Sequence, residues 1–293
     1  MSLSVAPGEI VGLVGESGCG KSTLAKVLLG LERADAGSLR VDGRSIFAPG
    51  ERAVPPAERG IQMIFQDPYG SLNPRMKVGA LIGEGLRIQG RLSKAEIMDE
   101  VRRHIALVGL SEDSINKYAH QFSGGQRQRL CIARAIIMKP SLLIADEAAS
   151  ALDVSVQMQI LNLLLDLRDR IGLGVIFISH DMGVIEYLCD RVAVMYRGRV
   201  VEEGAAAAVL DNPRHPYTAH LIAARPRVGV RRMGAMPDSE FDPAAMQEST
   251  AELATRCVYS ERCQRRIDRC TRERPQLVLE DQTRAACFNP LGA

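Results

Sequence analysis

Hydrophobic residues form three short, nearly continuous runs along the chain. The runs are Ile10–Val14, Leu142–Ala145 and Val175–Ile178. Runs of this length with almost no polar positions are typical of strands buried on both faces, as in a parallel sheet covered by helices. The pattern therefore predicts an α/β fold with a mostly parallel central sheet.

Longer stretches between these runs carry apolar residues at helical spacing. Ala95–Val108 and Val156–Leu167 both have this periodicity, and each predicts an amphipathic helix. Arg191–Glu203 has a different pattern, in which two apolar segments flank Arg197-Gly198-Arg199. That arrangement predicts a hairpin with its turn at those three residues.

Composition excludes several classes of protein. No apolar run reaches the ~20 residues of a membrane-spanning helix, and the first residues lack the basic and apolar regions of an export signal, so we expect neither. The net charge of +2 and the aromatic content of 4% argue against nucleic acid as a partner. Seven cysteines without such a signal indicate reduced thiols or metal ligands.

The character of the chain changes near residue 215. Proline and glycine become frequent after that point and periodicity weakens, and four of the seven cysteines lie beyond residue 250. We expect a domain over residues 1–215 and a small C-terminal extension over residues 216–293.

A glycine-rich loop follows the first predicted strand. Residues 15–22 match G-x-x-x-x-G-K-[ST] and lead into a helical run, Ser22–Leu29, which is the setting of a phosphate-binding loop. Backbone amides and the positive helix end bind the phosphates, the lysine reaches the β- and γ-phosphates, and the serine hydroxyl binds Mg²⁺. The candidate nucleotide-binding residues are Gly15, Glu16, Ser17, Gly18, Cys19, Gly20, Lys21, Ser22 and Thr23.

Polar residues stand at the ends of the other two predicted strands. Asp146 and Glu147 follow Leu142–Ala145, and His180 follows Val175–Ile178. An aspartate at this place is the second Mg²⁺ anchor of P-loop ATPases, and a glutamate beside it can polarise a water. The imidazole can donate a hydrogen bond to a γ-phosphate oxygen.

A second anion-binding sequence lies between the loop and the acidic pair. Ser123, Gly124, Gly125 and Gln126 precede a helical run that extends through Met138, so free amides and a positive helix end coincide there. Two such helix ends suit one triphosphate if two chains sandwich ATP and each supplies its second site to the other's nucleotide.

With these landmarks in order, the chain resembles the ATPase subunits of ABC transporters over residues 1–220. The resemblance adds Gln66 as the Q-loop and Ser150–Asp153 as the D-loop. Gln66–Arg75, His215–Thr218 and the cysteine tail are similar to the oligopeptide, dipeptide and nickel permease branch. The resemblance implies a P-loop NTPase fold with a helical signature subdomain at about residues 68–140.

The resemblance also implies roles. Gln66 contacts Mg²⁺ and the attacking water, Ser123 to Gln126 close on the partner's γ-phosphate, and Asp153 lies at the dimer seam. Glu147 is the general base and His180 stabilises the transferred phosphoryl group. The implied partners are two transmembrane permease subunits, a second ATPase subunit (paralogue or self) and, indirectly, a substrate-binding protein. The implied place is the cytoplasmic face of the inner membrane, and the implied work is the import of peptides or a related small solute.

Two departures from the family keep alternatives open. Met1–Ile10 contains no aromatic residue to stack on adenine, and we expect a weakened affinity for ATP. Ala148-Ala149 replaces the usual Pro-Thr, so a weakly hydrolysing regulatory subunit is one alternative. A soluble ABC ATPase of repair or translation is the other, although the chain has no coiled-coil insertion and no second cassette.

The cysteine tail has the composition of a metal site. Cys257, Cys263, Cys270 and Cys287 follow the spacing C-x5-C-x6-C-x16-C, and arginines surround them. Four thiolates can bind Zn²⁺ or an iron–sulfur cluster, and arginine offsets the negative charge of either. The resembling ATPases include members with a [4Fe–4S] cluster in such a tail, which makes the cluster the first expectation, with Zn²⁺, unliganded thiols and disulfides as alternatives.

Overall fold

The computed structural model describes residues 1–150, 152–224, 255–280 and 282–292. The chain divides into two compact units. The larger consists of Leu3–Leu13 and Lys21–Asp190, and the smaller of Met1–Ser2, Val14–Gly20 and Arg191–Ala293. Ala151 of the expected D-loop and residues 225–254 of the expected extension lie outside the described residues.

The larger unit contains a parallel sheet in the strand order β4-β5-β6-β1. The strands are β1 (Ile10–Val14), β4 (Ile61–Ile64), β5 (Leu142–Asp146) and β6 (Gly174–Ile178). Val175 and Leu143 are fully buried, as are Ile10 and Leu13. Since strands that are covered on both faces need apolar side chains on both, the three apolar runs became three of these strands, and the strand predictions are confirmed.

Helices account for most of the rest of the larger unit. In chain order they are α1 (Lys21–Leu29), α2 (Pro68–Ser71), α3 (Val78–Ile82), α4 (Glu84–Gln89), α5 (Lys94–Leu107), α6 (Gly124–Ile136), α7 (Val154–Ile171) and α8 (Met182–Leu188), with a small hairpin of β2 (Leu39–Val41) and β3 (Arg44–Phe47). The two predicted amphipathic helices are confirmed as α5 and α7. Ser93 caps α5 in a reciprocal box with Glu96, and α7 ends at Gly172, whose φ is 66°.

The smaller unit is built on an antiparallel sheet. Its strands are β7 (Arg191–Tyr196), β8 (Arg199–Ala205), β9 (Val278–Glu280) and β10 (Thr283–Ala285), and its helices are α9 (Ala206–Asp211), α10 (Pro216–Ala223) and α11 (Asp268–Arg272). The predicted hairpin is confirmed. Arg197 and Gly198 form its turn with φ values of 44° and 75°, the left-handed pair that a two-residue hairpin loop needs.

A buried carboxylate organises the start of α10. Glu202 is fully buried and accepts the backbone N–H groups of Arg214 at 2.7 Å and His215 at 2.9 Å. The His215 Nδ1 atom then accepts the N–H of Tyr217 at 3.0 Å and caps the helix. Burial lowers the pKa of His215 to about 4, so its ring is neutral and free to accept this bond at physiological pH.

No helix in the described part of the chain is long and apolar enough to cross a membrane.

Candidate active site

Three predicted catalytic side chains meet at one edge of the parallel sheet. Gln66 lies two residues after β4, Glu147 directly after β5 and His180 two residues after β6. These strands are parallel neighbours, so their carboxyl ends reach the same edge. The Gln66 Nε2 atom donates to Glu147 Oε2 at 2.6 Å, and His180 Nδ1 lies 2.9 Å from Glu147 Oε1.

The backbone of Glu147 is in an uncommon conformation. Its φ is 46°, in the left-handed region that residues other than glycine seldom adopt. Its N–H donates to the Ile178 carbonyl at 3.0 Å, and Ser150 donates its hydroxyl and its N–H to the Glu147 carbonyl at 3.0 and 3.1 Å. Ala148 and Ala149 are buried in the same turn. The sharp turn therefore forms with the Ala-Ala pair and directs the carboxylate toward Gln66 and His180.

Asp146 lies beside the start of α1. The Ser22 hydroxyl hydrogen-bonds to its carboxylate, and the positive charge of Lys21 acts on it. Burial raises the pKa of Asp146 above its ordinary value, the negative charge of Glu147 adds to the rise, and Lys21 and Ser22 oppose it. A hydroxyl and a carboxylate side by side are hard oxygen ligands, so these residues fit Mg²⁺.

From the raised pKa of Asp146 we predict an effect on the thermal stability of the folded chain. An acid with a raised pKa in the folded state reduces stability at neutral pH, and this cost declines as the pH falls through the raised value. We expect Asp146→Asn to raise the melting temperature of the nucleotide-free chain by about 2 °C while ATPase activity falls about 100-fold. Calorimetry and phosphate release test both effects. Asp166→Asn, at an exposed position on α7, is the control, and a lower melting temperature for Asp146→Asn contradicts the reasoning.

Part of the phosphate loop and of the start of α1 is exposed to solvent. Ser17, Gly18, Ser22 and Thr23 are exposed, whereas Gly15 and Cys19 are buried. Glycine φ values of 78° at Gly18 and 107° at Gly20 give the loop its shape, since these conformations are strained for other residues.

Glu16, a predicted phosphate ligand, makes two contacts outside the phosphate loop. The backbone N–H of Glu16 donates to the Tyr217 hydroxyl at 2.8 Å, and the Glu16 carboxylate pairs with Arg262 at 2.9 Å. The role of Glu16 in phosphate binding stays a prediction beside these two contacts. Tyr217 and Arg262 were missed as neighbours of the loop, and the one sequence signal was the His215–Thr218 motif.

The 123–126 turn is preorganised at the start of α6. The Ser123 hydroxyl accepts the Gln126 N–H at 3.3 Å, and the Gln126 side-chain oxygen accepts the Ser123 N–H at 3.1 Å. A Cβ on Gly125 would lie 2.3 Å from Val156 Cγ1, so only glycine fits there without displacing α7. Among the described residues, Ser123 hydrogen-bonds within this turn and makes no hydrogen bond to Gln66, Glu147 or His180. Asp153 is exposed at the start of α7, and its side chain makes no capping bond.

The four tail cysteines lie close enough for the thiols of Cys257, Cys263 and Cys270 to affect the pKa of Cys287. Cys257 donates its N–H to the Cys270 carbonyl at 3.0 Å, and Cys287 Sγ accepts the N–H of Asn289 at 3.4 Å. Burial, with the other three thiols adding, raises the pKa of Cys287 to about 11, and burial also raises the pKa values of Cys257 and Cys263. All four thiols are free.

The described residues do not contain three or more His, Cys, Asp or Glu side chains arranged to hold a metal ion. The [4Fe–4S] or Zn²⁺ site on these four cysteines stays a prediction.

A phosphate loop that opens a helix, with an acidic pair at the end of another strand of the same parallel sheet, defines a P-loop ATPase. Comparison with known families refines this class. The family described as ABC transporter matches residues 1–150, and the oligopeptide/dipeptide transporter C-terminal region matches residues 201–270. The chain belongs to the ABC transporter family and is an ABC-type ATPase.

Named relatives extend over nearly the whole chain. The dipeptide transport ATP-binding protein DppF of Escherichia coli is 41% identical over 98% of this chain and 85% of its own length. The di/tripeptide transport ATP-binding protein DppF of Pseudomonas aeruginosa is 40% identical over 99% of this chain and 88% of its own length. The solved structure of cbiO1 from Clostridium perfringens, part of the ABC transporter complex cbiONQ, is 28% identical with a TM-score of 0.64, covering 72% of this chain and 82% of that one.

Proposed function

We propose that this chain is the ATP-hydrolysing subunit of an importer for peptides or a related small solute. Its relatives in Escherichia coli and Pseudomonas aeruginosa are named for dipeptide and di/tripeptide transport. Residues 201–270 match the family described as the C-terminal region of oligopeptide/dipeptide transporters. A soluble ABC ATPase of repair or translation has no comparable support, because the similarity to the peptide transporters continues beyond the ATPase motifs.

The observation that carries the catalytic part of the proposal is the contact of Gln66 and His180 with Glu147. In the proposed mechanism Glu147 takes a proton from the attacking water, Gln66 orients that water, and His180 donates a hydrogen bond to the γ-phosphate. Lys21 and the amides of the loop bind the phosphates. Ser22, Asp146 and Gln66 would hold Mg²⁺, which would neutralise part of the phosphate charge when bound.

Dimerisation is proposed from the second anion-binding turn. Ser123 and Gln126 cap the start of α6 through two mutual hydrogen bonds, and the positive end of this helix can bind a phosphate. A partner chain's γ-phosphate is the proposed ligand of Ser123, Gly124, Gly125 and Gln126. In this arrangement Asp153 lies at the dimer seam, and ATP shifts the population toward the closed dimer.

The other partners follow from the proposed import function. We propose two transmembrane permease subunits and, indirectly, a substrate-binding protein, with this chain peripheral at the cytoplasmic face of the inner membrane. Affinity-tagged chain is isolated from its native membrane, and the recovered subunits are identified by mass spectrometry. Two multi-spanning subunits support the proposal, whereas recovery with ribosomes or DNA contradicts it.

Uptake distinguishes import from ATP hydrolysis without transport. Cells that depend on this chain for a labelled dipeptide are expected to lose uptake with Glu147→Gln and keep it with Glu58→Gln, a surface glutamate of an exposed ion pair with Arg44. Equal uptake in cells with and without the chain, together with normal ATPase activity, would falsify the peptide part alone.

The tail thiols are proposed as the donor set for a [4Fe–4S] cluster or Zn²⁺. The support is donor chemistry: burial raises the pKa values of the Cys257, Cys263 and Cys287 thiols, so these thiols are protonated without a metal and must release protons when they bind one. We expect anaerobically purified chain to contain iron and sulfide, or zinc, in stoichiometric amounts, lost in Cys257→Ser and retained in Cys189→Ser, a buried cysteine outside the tail. The assignment is overturned if the wild-type chain is purified without iron, sulfide or zinc and is as stable as the Cys257→Ser variant.

A further inference from the structure

The smaller unit contains a contact between the C-terminal region and the phosphate loop that the motifs of the family do not describe. Arg262 Nη1 lies 2.9 Å from Glu16 Oε2, and the two side chains are 27% and 30% exposed, so the ion pair is shielded from solvent by more than half. The Tyr217 hydroxyl accepts the Glu16 N–H at 2.8 Å. Glu16 is thus held at both its backbone and its side chain.

The residues that hold Glu16 are themselves rigidly placed. Tyr217 is fully buried, and its ring packs against Tyr196 and Tyr259 with centroid distances of 4.6 and 5.4 Å. The same Tyr259 stacks edge-on against Tyr196 at 5.2 Å. Aromatic rings at these distances pack favourably and lose little entropy, so the cluster gives the Tyr217 hydroxyl a defined position.

The segment that carries Arg262 is tied to the hairpin turn. Glu261 pairs with Arg256 at 2.8 Å and with Arg197 at 4.0 Å. Gly198, next to Arg197, donates its N–H to the Cys19 carbonyl of the phosphate loop at 2.8 Å. Loop, hairpin turn and residues 256–262 therefore form one connected set of contacts.

We infer that Arg262 and Tyr217 are positioning residues for ATP binding, which hold the phosphate loop at Glu16 in the shape that receives the phosphates. The cysteine-bearing segment is then a determinant of nucleotide affinity. A glycine-rich loop has high backbone entropy, and restraint at its first variable position lowers the entropy lost when phosphate binds. The inference rests on ATP binding by the chain and not on the proposed peptide import.

Equilibrium binding of MgATP and the steady-state ATPase rate of the full-length chain test this role. Arg262→Gln is expected to weaken ATP binding and raise KM about fivefold, with kcat at saturating ATP changed less than about twofold. Tyr217→Phe keeps the ring but leaves the Glu16 N–H without its acceptor, and is expected to act in the same direction. The matched control is Arg269→Gln, which removes an exposed pair of the same segment, with Glu273 at 2.8 Å, and is expected to bind ATP as the wild type does.

A charge exchange separates the pair from the stability of the segment. Glu16→Arg and Arg262→Glu are each expected to weaken ATP binding, and the double variant to return to within about twofold of the wild type. The inference is overturned if Arg262→Gln binds ATP like the wild type, if Arg269→Gln is equally impaired, or if the double variant is no better than the single ones. If the wild-type chain binds ATP but supports no dipeptide uptake, only the proposed peptide import is refuted. The positioning role of Arg262 and Tyr217 is then unaffected.

Discussion

Glu147→Gln is expected to reduce ATP hydrolysis about 1,000-fold while ATP still binds. The carboxylate is the proposed acceptor of the proton from water, and an amide of the same shape cannot take that role. The Glu147 carboxylate contacts Gln66 Nε2 at 2.6 Å and His180 Nδ1 at 2.9 Å. A glutamine side chain has the same size and shape, so we expect it to occupy the same position between these two residues. Phosphate release under single-turnover conditions measures the loss.

The same variant tests the proposed dimer. Without hydrolysis, the ATP-bound closed state is not released, so the Glu147→Gln chain is expected to run as a dimer in MgATP and as a monomer after nucleotide removal. Size-exclusion chromatography with light scattering gives the mass in each case. Glu58→Gln is the control for removal of one negative charge at the surface. A Glu147→Gln chain that hydrolyses ATP as fast as the wild type excludes Glu147 as the general base.

Gly15→Ala is expected to weaken ATP binding at least about 100-fold, because the phosphate loop can no longer form. A Cβ at this position would lie 2.2 Å from the Met195 carbonyl oxygen and 2.7 Å from Cys19 Sγ, and the first of these neighbours is backbone. The φ of Gly15 is 156°, which adds conformational strain for alanine. Isothermal titration with MgATP measures the affinity.

Gly198→Ala is the matched control for Gly15→Ala. Its φ of 75° imposes similar backbone strain, but a Cβ there meets nothing within 4 Å. We expect a loss of about 1 kcal/mol in the free energy of unfolding and ATP affinity within about threefold of the wild type. Comparable binding defects in the two variants, or ATP binding by Gly15→Ala that matches the wild type, contradict the role assigned to the close approach at Gly15.

Much of the site could be predicted from local sequence because its signals are local. The phosphate loop needs glycines, lysine and serine at fixed spacing, and the strand that ends in Asp146 and Glu147 needs a short apolar run before two acids. The left-handed backbone of Glu147, with a φ of 46°, carried no signal of this kind, because the bond from its N–H to the Ile178 carbonyl forms only when the turn packs against β6. Whether the four tail thiols lie close enough to bind one metal could not be predicted either, since spacing along the chain alone does not set the distances between sulfur atoms.

The sequence by itself determined the buried strands, the phosphate loop and the polar residues at the strand ends, because each depends on the chemistry of a few consecutive residues. Only the tertiary structure decided which of these meet. Gln66 reaches Glu147 across 81 residues of chain, and Arg262 reaches Glu16 across 246. Such contacts follow from strand order and from the packing of buried aromatic rings, which no local periodicity encodes. That is why the local sequence did not predict that the Glu16 amide binds Tyr217 and its carboxylate binds Arg262.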